Sequence, residues 1–168
     1  GARMSAALYV LGIDPGLSGA FSIVDSEGRL HLCDDLPTMG AGARVSINGG
    51  QLADTLRPLP IALAVVELVG AMPKQGVASV WKFAQACGQV RGVLEALDIP
   101  IQWVTPQAWK KSLRLSADKE AARALAIETW PEMRACFARK SDHGRAESAL
   151  IARFGVPYAC TSLTERAA

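Results

Sequence analysis

The sequence predicts an α/β protein built on a mixed five-stranded sheet with helices on both faces. Three short strands follow one another near the N-terminus with only turns between them, the pattern of an antiparallel meander. Two later apolar strands are each reached through a helical segment, the pattern of crossover connections. The chain then closes on further helices.

Leu8 to Ile13 is an unbroken apolar run, as a strand covered on both faces requires. It stops at Asp14-Pro15-Gly16, where Pro and Gly impose a turn. Gly19 to Val24 is a second apolar strand closed by Ser26-Glu27-Gly28, and Arg29 to Cys33 alternates as a third. Pro37 to Gly50 holds four glycines and reads as a loop. A short helix from Asn48 or Gly49 to Arg57 sets Leu52 and Leu56 on one face and ends at Pro58 and Pro60. Ile61 to Val66 is the fourth strand, with Glu67 at its C-terminal edge, and Gly70 to Gly76 is a loop.

From Val77 to Leu97 the period becomes helical. Val77, Val80, Trp81, Ala84, Cys87, Gly88, Val90, Gly92, Leu94 and Leu97 form one broad stripe. Ile101 to Val104 is the fifth strand, and Thr105-Pro106 starts a helix with Pro in its first turn. Ser116 is the expected N-cap of the next helix, Ala121 to Thr129. A last helix runs from near Asp142 to Arg153 and is expected to stop at Gly155 and Pro157. Residues 1–7 read as a cloning scar and lead-in, 8–155 as one domain, and 156–168 as a fraying tail.

Composition is that of a folded domain: 168 residues, 50% hydrophobic and 20% charged, which excludes a disordered chain. No apolar run reaches the ~20 residues that span a bilayer. Cys33, Cys87, Cys136 and Cys160 lie far apart without a C-x-x-C pair, which argues against a zinc site or a disulfide framework. The net charge of +2 gives only slight support for a polyanionic partner.

Two acids do not fit their surroundings. Asp14 and Glu67 each stand where an apolar strand calls for a core residue. Burying either unpaired would cost several kcal/mol, so each requires a basic partner, a raised pKa or a metal. Taken alone, Asp14 also fits a turn-forming aspartate and Glu67 a solvated strand end. Together they favour a metal, because ligands of α/β sheets gather at strand ends. A third cluster lies in Ser141-Asp142-His143-Gly144-Arg145-Ala146-Glu147. His143 and Glu147 are four apart and share a helical face. Asp142 falls at the N-cap, where it either caps the helix or joins the site. Converging carboxylates repel unless cations lie between them, and an oxygen-rich donor set suits Mg²⁺ or Mn²⁺. Two such ions activate a water and stabilise the leaving oxygen of a phosphodiester.

These segments resemble a known family. V-L-G-I-D-P-G-L-S-G-A resembles the first-strand motif of the RuvC Holliday-junction resolvases, and A-V-V-E-L-V-G their fourth-strand motif. D-H-G-R-A-E-S-A-L-I-A resembles their final-helix motif, especially in phage and prophage members. G-A-M-P-K-Q-G-V-A-S-V-W-K-F and V-T-P-Q-A-W-K-K resemble the connecting segments, so the likeness covers Leu8 to Gly155.

The resemblance implies an RNase H-like fold, a homodimer, two Mg²⁺ or Mn²⁺ ions per site, and paired nicking of four-way DNA junctions. It implies a cytoplasmic setting in a bacterial or phage-infected cell, no membrane, and branch-migration machinery as a candidate partner. Carried over by position, Asp14 ligates both metals, Glu67 one of them, and Glu147 is the last acidic ligand. One departure stands out. Bacterial members place the last two ligands three residues apart, whereas here that position is Gly144. The fourth active-site residue is therefore His143 or Asp142, and a histidine there has a second role in activating water.

The candidate DNA-facing residues are Lys74 and Gln75 after Glu67, Lys82 on the following helix, Lys110, Lys111 and Arg114 after the fifth strand, and Arg139, Lys140 and Arg145 around the last motif. Any one of these also reads as an ordinary solvated side chain. Met72, Trp81 and Phe83 are candidates for an apolar wedge at a junction centre, and Trp81 equally fits core or dimer interface. Gly88 and Gly92, four apart, permit close helix approach at a dimer seam or on the sheet. The rival classes are an actin- or sugar-kinase-like ATPase half, which needs a second domain, another RNase H-like nuclease acting on RNA–DNA hybrids or branched DNA, and a non-catalytic junction binder, which has no need of the acids.

Overall fold

The computed structural model describes residues 8–70 and 74–167. Five strands form one sheet: β1 (Tyr9–Asp14), β2 (Ala20–Asp25), β3 (Leu30–Asp35), and, after a small two-stranded ladder β4 (Thr38–Met39) and β5 (Ser46–Ile47), β6 (Ile61–Glu67) and β7 (Ile101–Val104), in the order β3-β2-β1-β6-β7. The meander β1-β2-β3 is antiparallel, whereas β6 runs parallel to β1 and β7 parallel to β6. The helices are α1 (Gly49–Leu56), α2 (Val77–Ala96), α3 (Pro106–Ser112), α4 (Lys119–Thr129) and α5 (His143–Ala167). Among the described residues no helix is long and apolar enough to cross a membrane.

Alternation along the strands splits the core into two layers. Leu11, Ile13, Ala64 and Val66 pack with Leu52 and Leu56 of α1 and Val90 and Leu94 of α2. Val10 and Val65 face the other way, against Leu150 and Ala149 of α5, Ala126 of α4 and Trp109 of α3. The same alternation places Asp14 and Glu67 on the α5 side, one step beyond the paired residues Ile13 and Val66. Gly12 lets α5 lie flat on β1, because a Cβ there would overlap the Ser148 carbonyl oxygen and the Ala152 nitrogen. A buried hydrogen bond of 2.7 Å between the Ser22 and Ser148 hydroxyls ties the same helix to β2.

Four local expectations change. The glycine-rich loop contains the β4-β5 ladder, reversed through Gly40 and Gly42 at positive φ. The N-cap of α4 is Asp118, whose carboxylate accepts the Glu120 amide, while Ser116 accepts the Asp118 amide. The stripe on α2 is divided: Ala86, Val90 and Leu94 are buried, whereas Val77 and Trp81 are 87% and 70% exposed. Finally, α5 passes through Gly155 and Pro157. Gly155 is a contact glycine, where a Cβ would overlap side-chain carbons of Val65 and Val10. Pro157 lies on the exposed side of the helix, so the Arg153 carbonyl that loses its amide partner can turn to water.

Candidate active site

Asp14, Glu67 and Glu147 converge at the C-terminal ends of β1 and β6. One carboxylate oxygen from each lies within 4.8 Å of the others. Glu67 and Glu147 are each only 7% exposed and Asp14 is partly buried. Asp14 and Glu67 come from adjacent parallel strands, and Glu147 comes from the second turn of α5, which the Gly12 contact holds against β1.

The electrostatics are those of an acid cluster that nearby lysines neutralise only in part. Burial, and then repulsion from Glu147 and Glu67, push the Asp14 carboxyl well above the usual carboxylate range. Lys119 and Lys110 oppose that rise. Burial also raises Glu67, with Glu147 adding to it, while a hydrogen bond from Trp109 and the charge of Lys110 act in the other direction. The Trp109 indole donates to Glu67 Oε2 at 2.6 Å. Lys110 Nζ lies 3.5 Å from Glu147 Oε1 and 5.3 Å from the Trp109 ring centroid. A compact set of hard oxygen donors that repel one another in a half-dry site fits divalent cations such as Mg²⁺ or Mn²⁺.

A cleft of about 460 Å³ opens over Asp14 and Glu147, walled by Lys82, Phe83, Lys119 and His143 and by the Pro15–Gly19 turn. His143 Nε2 lies 3.5 Å from Lys119 Nζ. Asp142 is turned elsewhere. Its carboxylate accepts from the Arg139 amide at 2.8 Å and from the Arg139 guanidinium at 2.8 Å, and these bonds hold it below its ordinary pKa. Asp142 ends a short 3₁₀ turn, and α5 begins one residue later, at His143. Gly144 lies directly against the acids: a Cβ there would sit 3.1 Å from Asp14 Oδ2.

The basic candidates divide. Lys110 is in the acid cluster and Lys82 in the cleft wall, while Lys140 shares a neighbouring hollow with Lys119, Ser141 and His143. Lys74, Lys111 and Arg114 are exposed, and Gln75 lines an apolar groove beside Glu67 with Phe83 and Trp103. Arg139 is bound to Asp142, and Arg145 to Asp35 at 2.8 and 3.0 Å. Met72 lies outside the described residues. Phe83 stands between the cleft and the groove. Sequence reasoning missed Trp109 and Lys119. Trp109 carries no charge and reads as core. Lys119 stands in no motif of the sequence, although its place at the start of α4 sets its ammonium beside the His143 ring.

No family model matches the chain, and no curated protein matches it. Solved structures do. RuvC of T. thermophilus in complex with Holliday junction substrate superposes with a TM-score of 0.64 at 17% identity, covering 92% of this chain and 96% of that one. A second Thermus thermophilus RuvC structure gives 0.55 at 17% identity with the same coverage. The fowlpox virus Holliday junction resolvase gives 0.51 at 12% identity, covering 92% of this chain and 99% of that one. The fold is therefore RNase H-like, in the arrangement that the RuvC resolvases share.

Proposed function

We propose that this protein is a structure-selective endodeoxyribonuclease that resolves four-way DNA junctions by divalent-metal-dependent hydrolysis of paired phosphodiester bonds. The observation that carries the reading is the convergence of Asp14, Glu67 and Glu147 at the strand ends of a RuvC-like fold. The three carboxylates would hold two Mg²⁺ or Mn²⁺ ions, with Asp14 shared by both. When bound, such ions activate water and stabilise the leaving oxygen.

The chain's own side chains perform the rest. His143 is the better-supported fourth residue, because it borders the cleft and Asp142 is bound to Arg139. With Lys119 beside it, the imidazole is positioned to take a proton from the attacking water. Lys82, Lys119 and Lys140 lie along the two adjoining hollows, a path for a phosphate backbone, and the exposed Lys74, Lys111 and Arg114 are further candidates for phosphate contacts, with Gln75 in the groove beside Glu67. Lys110 pairs with Glu147 at 3.5 Å and adds positive charge beside the acids. Arg145, engaged by Asp35, braces α5 as well as adding positive charge. The outward face of α2, with Val77, Trp81, Gly88 and Gly92, is the seam of a homodimer that presents two such sites.

The test offers a synthetic four-way junction, the matching linear duplex and an RNA–DNA hybrid, each with Mg²⁺, Mn²⁺ or chelator. Paired nicking of the junction alone, only with metal, is expected. Equal cutting of the duplex, cutting of the hybrid alone, or junction binding without any cleavage would overturn the assignment.

A further inference from the structure

Two fully buried tryptophans satisfy their indole N–H groups in different ways. Trp130 donates to the Gly28 main-chain carbonyl at 2.9 Å, an ordinary structural solution. Trp109 donates to a carboxylate of the acid cluster, Glu67 Oε2, at 2.6 Å. The local fold brings this about. Val104 at the end of β7 is paired with Glu67. The chain turns at once into α3 through Thr105, whose hydroxyl accepts the Ala108 amide, and Pro106. Trp109 is then one turn along the helix, facing back towards the strand end.

We propose that Trp109 is a positioning residue for the metal site, holding Glu67 so that one oxygen is engaged by the indole and the other is presented to the cation. An indole N–H donates only and neither ligates nor titrates, so it fixes a carboxylate without competing for the metal. The same ring lies under Lys110, which reaches Glu147. Trp109 therefore touches the supports of two of the three acids. Outer-shell donors of this kind orient a ligand and set which of its oxygens is available.

The proposal rests on the reading that the acids bind a divalent cation. The experiment measures Mn²⁺ affinity by titration calorimetry on the unchanged protein, Trp109→Phe, Glu67→Gln and the double variant. Junction cleavage and thermal unfolding accompany it. Trp109→Phe keeps an aromatic ring and loses the donor. Mn²⁺ affinity is expected to fall about 10- to 100-fold, with kcat reduced and KM for the junction unchanged. In the Glu67→Gln background the same change should cause no further loss of affinity.

An unchanged Mn²⁺ affinity in Trp109→Phe, with only a lower Tm, overturns the proposal and leaves the metal reading standing. The same holds for a loss that simply adds to that of Glu67→Gln. No Mn²⁺ binding to the unchanged protein overturns the metal reading and the proposal with it. Should Trp109→Phe fail to fold, indole N–H resonances of the unchanged protein decide. The one that moves in Glu67→Gln should also move with Mg²⁺, at the midpoint of metal binding, and its indifference to Mg²⁺ overturns the proposal.

Discussion

Gly12 of β1 and Ser148 of α5 are in backbone contact: no Cβ fits between them without overlapping the Ser148 carbonyl oxygen. Glu147, the residue before Ser148, is thereby held over the end of the strand that carries Asp14. Gly12→Ala forces the helix off the sheet. It should destabilise the protein by about 3 kcal/mol and also impair cleavage in the molecules that remain folded. Chemical denaturation and cleavage per folded protein check the two effects, and an unaltered denaturation midpoint would refute the packing argument.

The raised Asp14 carboxyl has a definite sign in stability. Below the ordinary carboxylate value of about 4, folded and unfolded chains both hold the proton and no penalty arises. As pH rises towards the higher folded value, the unfolded chain releases its proton first, and the metal-free fold loses stability. Asp14→Asn removes that penalty. In chelator the variant should therefore be more stable than the unchanged protein at pH 7, by a margin that shrinks towards pH 4. Mg²⁺ should close the gap by stabilising the unchanged protein more. Melting curves from pH 4 to 7, with and without Mg²⁺, measure this.

Asp25, at the opposite end of the sheet, has the opposite sign. Its carboxylate accepts the Glu27 and Arg29 amides, the Arg29 guanidinium and the His31 ring, and these bonds hold it below its ordinary value although burial works against them. Its contribution is complete above about pH 4 and is lost as pH falls below that. Asp25→Asn should cost about 2 kcal/mol at pH 7, less in acid, and the loss should not respond to Mg²⁺. Denaturant titrations at pH 7 and pH 3, each with and without Mg²⁺, check it.

The proposed dimer seam has a steric test. Gly88 of α2 is exposed and a Cβ there meets nothing within 4 Å, so Gly88→Leu starts its side chain in open space and favours the helix. If α2 packs on a second copy, this change should shift sedimentation from dimer to monomer with Tm otherwise maintained. A dimer that persists places the seam elsewhere.

Much of this architecture is legible in the amino-acid sequence. The strand order follows from apolar runs separated by turns. Asp14 and Glu67 announce themselves because each interrupts such a run at its end, and alternation alone then puts them on one face. Glu147 is visible as an acid bordering Ala149-Leu150-Ile151. Other features are hidden for physical reasons. Trp109 is apolar in composition, and only its indole N–H gives it a place in the site. Pro157 normally marks a helix end, and it is tolerated because its missing amide bond falls on the solvent side. The choice between His143 and Asp142 depends on a single residue of phase, and the 3₁₀ turn before α5 puts His143 at the cleft and Asp142 against Arg139. Trp81 belongs to the broad apolar stripe of the sequence, yet it lies nine residues before Val90, which at 3.6 residues per turn sets it on the face opposite the buried Ala86, Val90 and Leu94.

Asp14, Glu67 and Glu147 are proposed to act as a catalytic centre rather than as a structural acid cluster. The most direct measurement is Asp14→Asn assayed in parallel for junction binding without metal and for junction cleavage in Mg²⁺. Binding within about twofold of the unchanged protein is expected, with cleavage reduced by at least about 10³-fold through loss of a group acting in the transition state. Cleavage at the unchanged rate, with binding intact, would contradict that catalytic role.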